Sequence, residues 1–454
     1  MNTTDFTSVF KEALLSTPKT SSSMQPEDFL GHLFTTDKQI AAKTASDFYS
    51  GGNLAVRNSW SFDVQALPCF LLLYTMAGCG KLLMNQHVIS LTENSLLLLN
   101  CRQRFRIDVA VSPWKYQVLF FDNVRAAEML SLITKEPFCI LNATAHSEYV
   151  LHLEKLLCLN YEKTMISQLR ASDLLNHLLT EFTIEFLKKD FRKSLGYDLH
   201  LDHPVTFNEK LQWLKVHYRD PIMTQCADKY EVRKLIEEKI GRSYLVPIYG
   251  VYDNAEEINP DTLPEQFVLK PNHSSGRVLL CRNKKEVDWT RTRKMLNGWL
   301  GENYYYQNGE WVYKDIKPKI ICEHLLQGEM IDYKFLCFYG EPKMLFTCSE
   351  RETGLKVTFF DMDFHKLPFI RKYPSSDKMK KPVFFDDMVR CARILSLRFP
   401  FVRVDFYENE GHLYFGELTF FPGNGMEWFK PVEWDKKIGD LLDLSKVDKR
   451  YMVK

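Results

Sequence analysis

The chain has 454 residues, of which 45% are hydrophobic and 26% charged, and its net charge is +1 at pH 7. This length has room for about two to three domains with sizeable cores. A charge so close to zero, without a basic cluster that includes stacking aromatics, argues against nucleic-acid binding. The 11 cysteines contain no Cys-x-x-Cys pair. This indicates reduced, buried thiols in a cytoplasmic protein without structural zinc.

No segment has the pattern of a targeting or membrane-spanning sequence. Residues 1–16 lack the basic start and apolar core of a signal peptide. The apolar run at 67–76 is too short to span a bilayer, and Gly78 and Gly80 follow it. Residues 16–28 are rich in Ser, Thr and Pro, which predicts a loop between short N-terminal helices. We therefore expect a cytoplasmic protein with no transmembrane segment.

Short apolar stretches separated by turns follow, and their spacing predicts a small all-β barrel or sandwich. His87 has no neighbouring His-x-His pair, so we expect an ordinary strand residue and no metal in this barrel. The predicted strands lie at 69–76, 80–87, 95–99, 105–109 and 116–121.

The phrase CFLLLYTMAGCGKLLMNQHVISLTENSLLLLN at 69–100, continued by WKYQVLFFD at 114–122, resembles the cupin sensor domain of AraC-like regulators. The resemblance implies a module that regulates, presents substrate or dimerises. Ligand binding and dimerisation both stay open. The pair of helix-turn-helix units that reads DNA in such regulators does not follow, which argues against a transcription factor.

Apolar residues recur at helical spacing between 162 and 189, which predicts a long amphipathic helix. In AraC-like proteins a comparable helix follows the barrel and can pair two subunits. Packing on its own domain is the commoner outcome of such a stripe, so a homodimer through the cupin and this helix stays open. The stripe consists of Ile166, Leu169, Leu175, Leu178, Leu179, Phe182 and Phe186.

The run FVRVDFYENEGHLYFGELTF at 401–420 predicts two strands about a polar Glu-Asn-Glu-Gly turn. Side chains alternate along a strand, so Arg403 and Asp405 share a face, as do Glu417 and Thr419. With antiparallel pairing, Asp405 lies opposite Glu417, and adjacent carboxylates repel unless a cation sits between them. Mg²⁺ suits such rigid oxygen ligands. The plainer interpretation is a surface hairpin with scattered charges.

The segment FVLKPNHSSG at 267–276 predicts an apolar strand that ends near Lys270. A polar turn containing His273, Ser275 and Gly276 follows at once. A lysine beside a Ser/Gly loop with free backbone N–H groups is a reasonable cradle for phosphate.

Six motifs resemble, in family order, the teichuronopeptide-biosynthesis (TupA-like) branch of the ATP-grasp enzymes, over about residues 206–431. The resemblance implies an α+β fold in which two lobes grip ATP between antiparallel sheets. The motifs are FNEKLQWLKVHYRDP (207–221), ADKYEVR (227–233), FVLKPNHSSG (267–276), PKIICEHLL (318–326), IDYKFLCFYGEPKMLF (331–346) and the hairpin at 401–420.

The two resemblances together predict three parts of the chain. Residues 1–160 are expected to form an AraC-like cupin-type sensor domain with N-terminal helices. Residues 161–200 are expected to form the amphipathic linker helix, and residues 201–454 the ATP-grasp domain.

The ATP-grasp resemblance also implies roles for single residues and two cofactors, ATP and Mg²⁺. Lys229 and Lys270 resemble the lysines that reach the ATP phosphates, and Glu323 resembles the hinge acid that binds adenosine. Asp405 and Glu417 resemble the Mg²⁺ ligands. Because its charge would serve the ion, we expect Asp405→Asn to remove ATP turnover and leave the fold intact.

Other residues complete the predicted cleft. Asp332 and Lys334 alternate onto one face and are expected to line it, while Arg403 would steady a phosphate in transfer. Thr419 is counted among the metal ligands because it stands where many family members have a metal-binding Asn. The threonine is a departure from the family pattern. Ser274 stands where Gly is more frequent.

Lys229 and Arg233 lie four residues apart and are expected on one face of a helix that starts near Asp228. That helix is expected to end at Gly241, because glycine commonly follows the last helical turn.

The implied activity is an ATP- and Mg²⁺-dependent ligase that activates a carboxylate as an acyl phosphate for attack by an amine. The carboxylate and amine would be small molecules or polymer ends, in cell-surface polysaccharide or peptidopolymer assembly or in small-molecule biosynthesis. The alternative is a nucleotide-sensing protein with a degenerate ATP-grasp half and a ligand-binding cupin.

Overall fold

The computed structural model describes residues 29–35, 46–57, 60–134, 136–162, 164–305, 309–328, 331–351 and 353–453. The chain forms two compact units, Met1–Lys188 and Lys189–Lys454, called unit 1 and unit 2 below. The loop predicted at 16–28 lies outside the described residues. Within them, no helix is both long enough and apolar enough to cross a membrane.

Unit 1 is built on an antiparallel sheet of 8 strands, which runs in the order β1-β2-β7-β4-β6-β8, with β3 beside β7 and β5 beside β4. The expected β-rich N-terminal region is confirmed. The strands are β1 (Phe29–Thr35), β2 (Ser46–Val56), β3 (Ser61–Val64), β4 (Phe70–Met84), β5 (His87–Thr92), β6 (Ser95–Asn100), β7 (Phe105–Asn123) and β8 (Phe138–Asn142).

The two faces of this sheet bury different cores, because successive side chains of a strand point to opposite faces. On β4, Leu71 and Leu73 join a core that contains Trp114. Phe70 and Leu72 join a second core, together with buried leucines of the helices. Those helices are α1 (Val124–Ile133), α2 (Glu148–Glu162) and α3 (Met165–Leu195).

The predicted break between strands at 69–76 and 80–87 is wrong, because β4 runs through Gly78 and Gly80. The strand has register shifts between Thr75 and Gly80 where it pairs with β7. A Cβ atom at Gly80 would lie 2.4 Å from the Trp114 ring. Glycine is needed here for close packing against the ring and not for a chain reversal.

The predicted helical stripe is confirmed in its middle and wrong at its start. Leu175, Leu178 and Phe182 are buried in the core of unit 1, whereas Ile166 is 64% exposed and Leu169 is 52% exposed. The first turns of α3 bury a different face from the predicted one, because Ser167, Gln168 and Ala171 are buried there. The pairing of two subunits through this helix stays a prediction.

Unit 2 contains two larger antiparallel sheets, ordered β11-β10-β12-β9 and β15-β14-β13-β17-β18, and a small β16-β19 pair. Its strands are β9 (Ile248–Tyr252), β10 (Phe267–Pro271), β11 (Leu279–Cys281), β12 (Ile320–Glu323), β13 (Asp332–Phe338), β14 (Glu341–Ser349), β15 (Lys356–Phe360), β16 (Ile370–Arg371), β17 (Phe401–Asn409), β18 (His412–Thr419) and β19 (Phe429–Lys430). The helices are α4 (Phe207–His217), α5 (Ile222–Ala227), α6 (Val232–Lys239), α7 (Trp289–Leu300), α8 (Phe385–Ser396) and α9 (Glu433–Gly439).

Each larger sheet has its own core, which gives the two lobes expected from the sequence. Phe267 and Leu269 of β10 pack with Leu296 of α7. Phe335 of β13 and Val404 of β17 belong to a larger core that includes helix residues of α4 and α8. The predicted α+β class is confirmed.

Helix α4 begins with a reciprocal cap. The Thr206 side chain accepts a hydrogen bond from the backbone N–H of Glu209, and the Glu209 carboxylate accepts one from the N–H of Thr206. That carboxylate also accepts from the N–H groups of His200 and Val205. Glu209 is only 3% exposed, so water cannot replace these bonds easily. The cap fixes the chain as it enters the ATP-grasp motifs.

We expect Glu209→Ala to lower the free energy of unfolding by about 2 kcal/mol, the upper end for a lost cap, because three backbone N–H groups lose their acceptor. Urea unfolding of the full chain measures this. The control is Glu238→Ala, whose side chain is 69% exposed and should change stability by less than about 0.5 kcal/mol. Equal losses in both variants would contradict the assignment.

Candidate functional site

The hairpin at the carboxyl end of unit 2 has the predicted strands and a tighter turn. β17 and β18 pair until Asn409 faces His412, which leaves a two-residue turn at Glu410 and Gly411. Both turn residues have positive φ, 48° and 74°, as the hairpin turn that matches strand twist requires.

A bulge changes the predicted opposition of Asp405 and Glu417. Arg403 pairs with Thr419, and Phe406 pairs with Phe415, so one residue of β17 faces two of β18. Asp405 lies opposite this bulge. A Cβ atom at Gly416 would lie 3.2 Å from the Asp405 Cβ atom, which explains the glycine. The bulge also turns Glu417 toward Arg403.

The guanidinium of Arg403 joins the two predicted metal-binding acids. Its Nε donates to Asp405 Oδ1 at 2.7 Å and its Nη2 to Asp405 Oδ2 at 2.7 Å. The same Nη2 donates to Glu417 Oε1 at 2.6 Å. Thr419 Oγ1 donates to that oxygen at 3.0 Å. The four hairpin residues predicted from the sequence therefore form one hydrogen-bonded cluster.

The neighbouring strand β13 brings a second cation to this cluster. Lys334 pairs in register with Asp405 and donates a hydrogen bond to its Oδ2 atom. The Lys334 Nζ also lies 3.4 Å from Asp332 Oδ1. Arg351 forms an ion pair with Asp332. Alternation along β13 places Asp332 and Lys334 on one face, as predicted.

The reason for expecting Asp405→Asn to leave the fold intact, namely that its charge would serve only the ion, is wrong. Asp405 is 0% exposed, and both its oxygens accept hydrogen bonds from the Arg403 and Lys334 side chains. Its charge therefore balances two buried cations. Removing one partner of a buried ion pair is strongly destabilising.

Glu417 is the more accessible acid, with 32% of its side chain exposed. Burial favours its neutral form, but the charges of Arg403, Lys229 and Lys334 outweigh burial and lower the pKa of Glu417 from 4.5 to about 2. Because the pKa is depressed on folding, the ionised group stabilises the fold above pH 4.5. That contribution is lost as the pH falls through about 2.

The predicted phosphate lysine and hinge acid are partners in the structure. Lys270 on β10 places its Nζ 2.6 Å from Glu323 Oε2 on β12. Arg233 Nη1 lies 3.9 Å from Glu323 Oε1. Two cations therefore share one carboxylate, and an anion that binds here would have to compete with Glu323 for them.

Lys229 precedes a helix and does not belong to it, which corrects the sequence prediction. Helix α6 starts at Val232, and Asp228 caps the turn before it by accepting from the N–H groups of Tyr230 and Glu231. Lys229 Nζ instead donates to the carbonyl of Ser274 at 2.5 Å. Burial, the main cause, lowers the pKa of Lys229. The lysine is thus held against the predicted phosphate loop.

The loop after β10 is fixed by two buried side chains. His273 is 2% exposed, and its ring nitrogens face two acceptors, Asn272 Oδ1 at 3.1 Å and the Glu302 carbonyl at 2.9 Å. A neutral imidazole has one N–H and donates to one of them. Asn272 donates to Asp228 and to the Lys317 carbonyl. These bonds give His273 a supporting role in the loop, whereas Ser275 and Gly276 are exposed.

A cavity of about 360 Å³ joins the loop to the hairpin. Ser275 lies at its wall with Arg403, Glu417 and Thr419. Lys372, Glu427, two tyrosines and the turn after β18 complete the wall. The further lining residues are Tyr304, Glu310, Tyr313, Phe421, Gly423, Asn424 and Met426.

Sequence reasoning missed Glu310, a carboxylate in this cavity that is only 6% exposed. Burial raises its pKa to about 7, against the opposing charge of Lys215. Burial likewise lowers the pKa of Lys215 to about 8, and its Nζ donates to the Asn424 carbonyl at 3.0 Å. No local motif marks Glu310, because it becomes a site residue only when the chain between α7 and β12 folds over the cavity.

Comparison with known families defines the class of protein. Residues 209–443 match the family model described as TupA-like ATP-grasp, and residues 55–179 match the AraC-like ligand binding domain. Both resemblances seen in the sequence are confirmed, and unit 2 is an ATP-grasp fold. Because the first match spans more than half of the 454 residues, the chain belongs to the TupA-like ATP-grasp family.

The solved structures that are similar differ strongly in sequence. The protein YhaK from Escherichia coli is 10% identical with a TM-score of 0.21, covering 25% of this chain and 52% of its own. A D-alanine–D-alanine ligase from Helicobacter pylori is 14% identical with a TM-score of 0.29, and the match covers 52% of this chain and 67% of the ligase. An L-amino acid ligase from Bacillus licheniformis is 12% identical with a TM-score of 0.28, and the match covers 45% of this chain and 43% of the ligase.

These structural likenesses are too slight to support a conclusion about activity, and this chain spans about half of the YhaK structure, at 52%. A search of curated proteins gives no match.

The two hairpin acids should respond differently to neutralisation. We expect Glu417→Gln and Asp405→Asn each to lower ATP turnover at least about 10²-fold, as loss of a group that holds a catalytic metal would. Asp405→Asn should also lower the free energy of unfolding by about 3 kcal/mol or more, because Arg403 and Lys334 lose their partner. Glu417→Gln should lower it by less than Asp405→Asn does, because the Glu417 side chain is 32% exposed and water can replace part of the lost contacts.

Turnover of ATP with a panel of carboxylates and urea unfolding of each variant check this prediction. Asp386→Asn, with a side chain that is 98% exposed, serves as the control. Parental turnover in Glu417→Gln would remove the metal assignment. Equal stability in the two hairpin variants would contradict the structural role of Asp405.

Proposed function

We propose that the protein is an ATP- and Mg²⁺-dependent ligase that phosphorylates a carboxylate and transfers the acyl group to an amine. The cavity shared by Arg403, Glu417 and Ser275 is the observation that carries this proposal. It joins a predicted phosphate loop to the predicted metal ligands, and Glu310 adds a carboxylate at the same wall. A site that only sensed nucleotide would need the phosphate loop and the metal ligands but no buried carboxylate such as Glu310 beside them.

The donor set fits both implied cofactors in part. Glu417 is ionised and opens on the cavity, as a Mg²⁺ ligand should. Asp405 reaches an ion only if Arg403 or Lys334 leaves one of its oxygens, because both oxygens are engaged. Lys229 and Lys270 are the cations for the phosphates, and Glu323 is their countercharge until nucleotide binds. When bound, Mg²⁺ would neutralise charge on the transferred phosphoryl group.

The side chains and backbone groups of the cavity have different roles in this reaction. Arg403 and Lys334 hold positive charge beside the place where the phosphoryl group would meet the substrate carboxylate, and they favour the spread-out charge of that transfer. Ser275 and Gly276 offer backbone N–H groups to phosphate oxygens. The substrate is the nucleophile in both steps, so the protein needs no nucleophilic side chain.

Glu310 is assigned to the amine. A nearly buried carboxylate attracts an ammonium group, and a pKa of about 7 lets it accept the proton that the amine must lose before attack. Amino-acid and uronic-acid carboxylates are the substrates favoured by the family resemblance. The cupin-type domain would regulate the ligase or present its substrate. Residues 161–200 would serve as the linker helix between this domain and the ligase domain at 201–454.

Formation of an acyl phosphate distinguishes a ligase from a protein that only senses nucleotide. With a panel of amino acids and uronic acids, we expect ADP and phosphate only when an acceptor carboxylate is present, and hydroxylamine should trap a hydroxamate. Arg403→Lys should lower trapping about 10²-fold, because the bidentate fork is lost, and should leave ATP affinity nearly unchanged.

Colorimetric hydroxamate detection and calorimetry with ATP measure the two effects. AMP and pyrophosphate as products would contradict the acyl phosphate and indicate adenylation. ADP formation independent of every carboxylate would favour the nucleotide-sensing alternative.

Glu310→Gln should separate the two half-reactions. We expect ligation to amino-acid amines to fall about 10²-fold, since the proton acceptor is lost. Hydroxamate formation should stay near the parental rate, because hydroxylamine is uncharged at neutral pH and needs no such acceptor. The matched control is Glu302→Gln, whose carboxylate pairs with Arg277. Equal losses with both nucleophiles would contradict the assignment to the amine.

A further inference from the structure

Two histidines and a glutamate converge on the helices of unit 1, away from the sheet and its His87. Glu148 and His152 lie one turn apart on α2, so they share a face. His177 on α3 reaches the same place. One ligand atom from each residue lies within 4.8 Å of the other two. None of the functions proposed above uses these residues.

The distances are too long for hydrogen bonds and suit an ion. His152 Nε2 and His177 Nε2 both lie 3.8 Å from Glu148 Oε1, beyond hydrogen-bond range. The two rings meet edge to face with centroids 5.2 Å apart. Ligand atoms around a tetrahedral Zn²⁺ lie about 3.4 Å from one another. The two distances to Glu148 would need to shorten by roughly 0.4 Å to reach that geometry, and the distance between the two histidine nitrogens, which is within 4.8 Å, by up to roughly 1.4 Å.

We propose that Glu148, His152 and His177 bind one divalent transition-metal ion of the zinc class. Imidazole nitrogens and a carboxylate are ligands that Zn²⁺ accepts, whereas Mg²⁺ and Ca²⁺ prefer all-oxygen sites. Water or Glu181 would supply the fourth ligand, since Glu181 lies one turn beyond His177 on α3. The ion would tie α2 to α3.

His152 presents its Nε2 atom to this site. The Nε2 atom lies 3.8 Å from Glu148 Oε1, whereas the buried Nδ1 atom on the other side of the ring has no hydrogen-bond partner among the described residues, so a water molecule has to satisfy it.

The ligands are exposed enough to be changed without unfolding the chain. The Glu148 side chain is 67% exposed and that of His177 is 51% exposed. A matched control exists in the same unit, because His87 Nε2 also lies 3.8 Å from a carboxylate, that of Glu136. This pair has no third ligand in the described part of the chain.

Calorimetric titration of the chelator-treated full-length protein with Zn²⁺ tests the site. Excess Mg²⁺ is present throughout to occupy oxygen-ligand sites, and Cys158→Ser removes the exposed thiol of α2. We expect one tight Zn²⁺ per chain. Affinity should fall at least about tenfold in His177→Ala and in Glu148→Ala, and should not change in His87→Ala. Zn²⁺ should raise the Tm of the Cys158→Ser parent but not of His177→Ala.

Co²⁺ provides an independent spectroscopic readout. A visible ligand-field spectrum without a thiolate charge-transfer band, lost in His177→Ala, would support nitrogen and oxygen ligands. A thiolate band would overturn the site, and so would equal Zn²⁺ affinity in the parent and His177→Ala, or an equal loss in His87→Ala. These readouts do not depend on ATP, so they stand apart from the ligase proposal.

Discussion

The Arg403 guanidinium, held between Asp405 and Glu417, is the interaction on which the candidate site depends. Its hydrogen bonds of 2.6 to 2.7 Å join two adjacent strands at a bulge and keep two carboxylates in one buried cluster. Without this cation the acids would repel each other, and their protonation would be favoured by burial. The same fork holds Glu417 at the cavity wall, where its charge is available to an ion.

A second group of balanced charges lies at the proposed nucleotide site. Lys270 shares Glu323 with Arg233, and Lys229 is tied to the Ser274 carbonyl. These cations are therefore already positioned before an anion arrives. Phosphate binding would exchange partners within a formed site, which reduces the ordering cost that a flexible site would have to overcome. The proposed ligase thus uses existing ion pairs as its binding groups.

Strand alternation and family motifs were sufficient to predict which residues meet. Arg403, Asp405, Glu417 and Thr419 were predicted from one hairpin, and the structure brings them together because alternation is a local property. The bulge at Gly416 was not predicted, since it depends on the contact of β18 with Asp405. The continuous β4 was missed for a similar reason, because the need for glycine beside Trp114 comes from a distant strand.

Contacts between distant segments were beyond sequence reasoning. Glu310 and Lys215 are far apart in the chain and carry no motif, yet both lie near the cavity. Ile166 and Leu169 fit the helical spacing but are exposed, because this end of α3 buries the face that carries Ser167 and Ala171. The structural role of Asp405 likewise required the pairing of β13 with β17, which places Lys334 opposite it.

The fate of the oxygen atoms of the substrate carboxylate tests the central claim most directly. The full-length protein is incubated with ATP, Mg²⁺, an amine and the panel carboxylates labelled with ¹⁸O, and the phosphate is examined by mass spectrometry. Formation and cleavage of an acyl phosphate predict that a single labelled oxygen passes from the carboxylate to inorganic phosphate. Phosphate without label, or label found in AMP, would contradict the account.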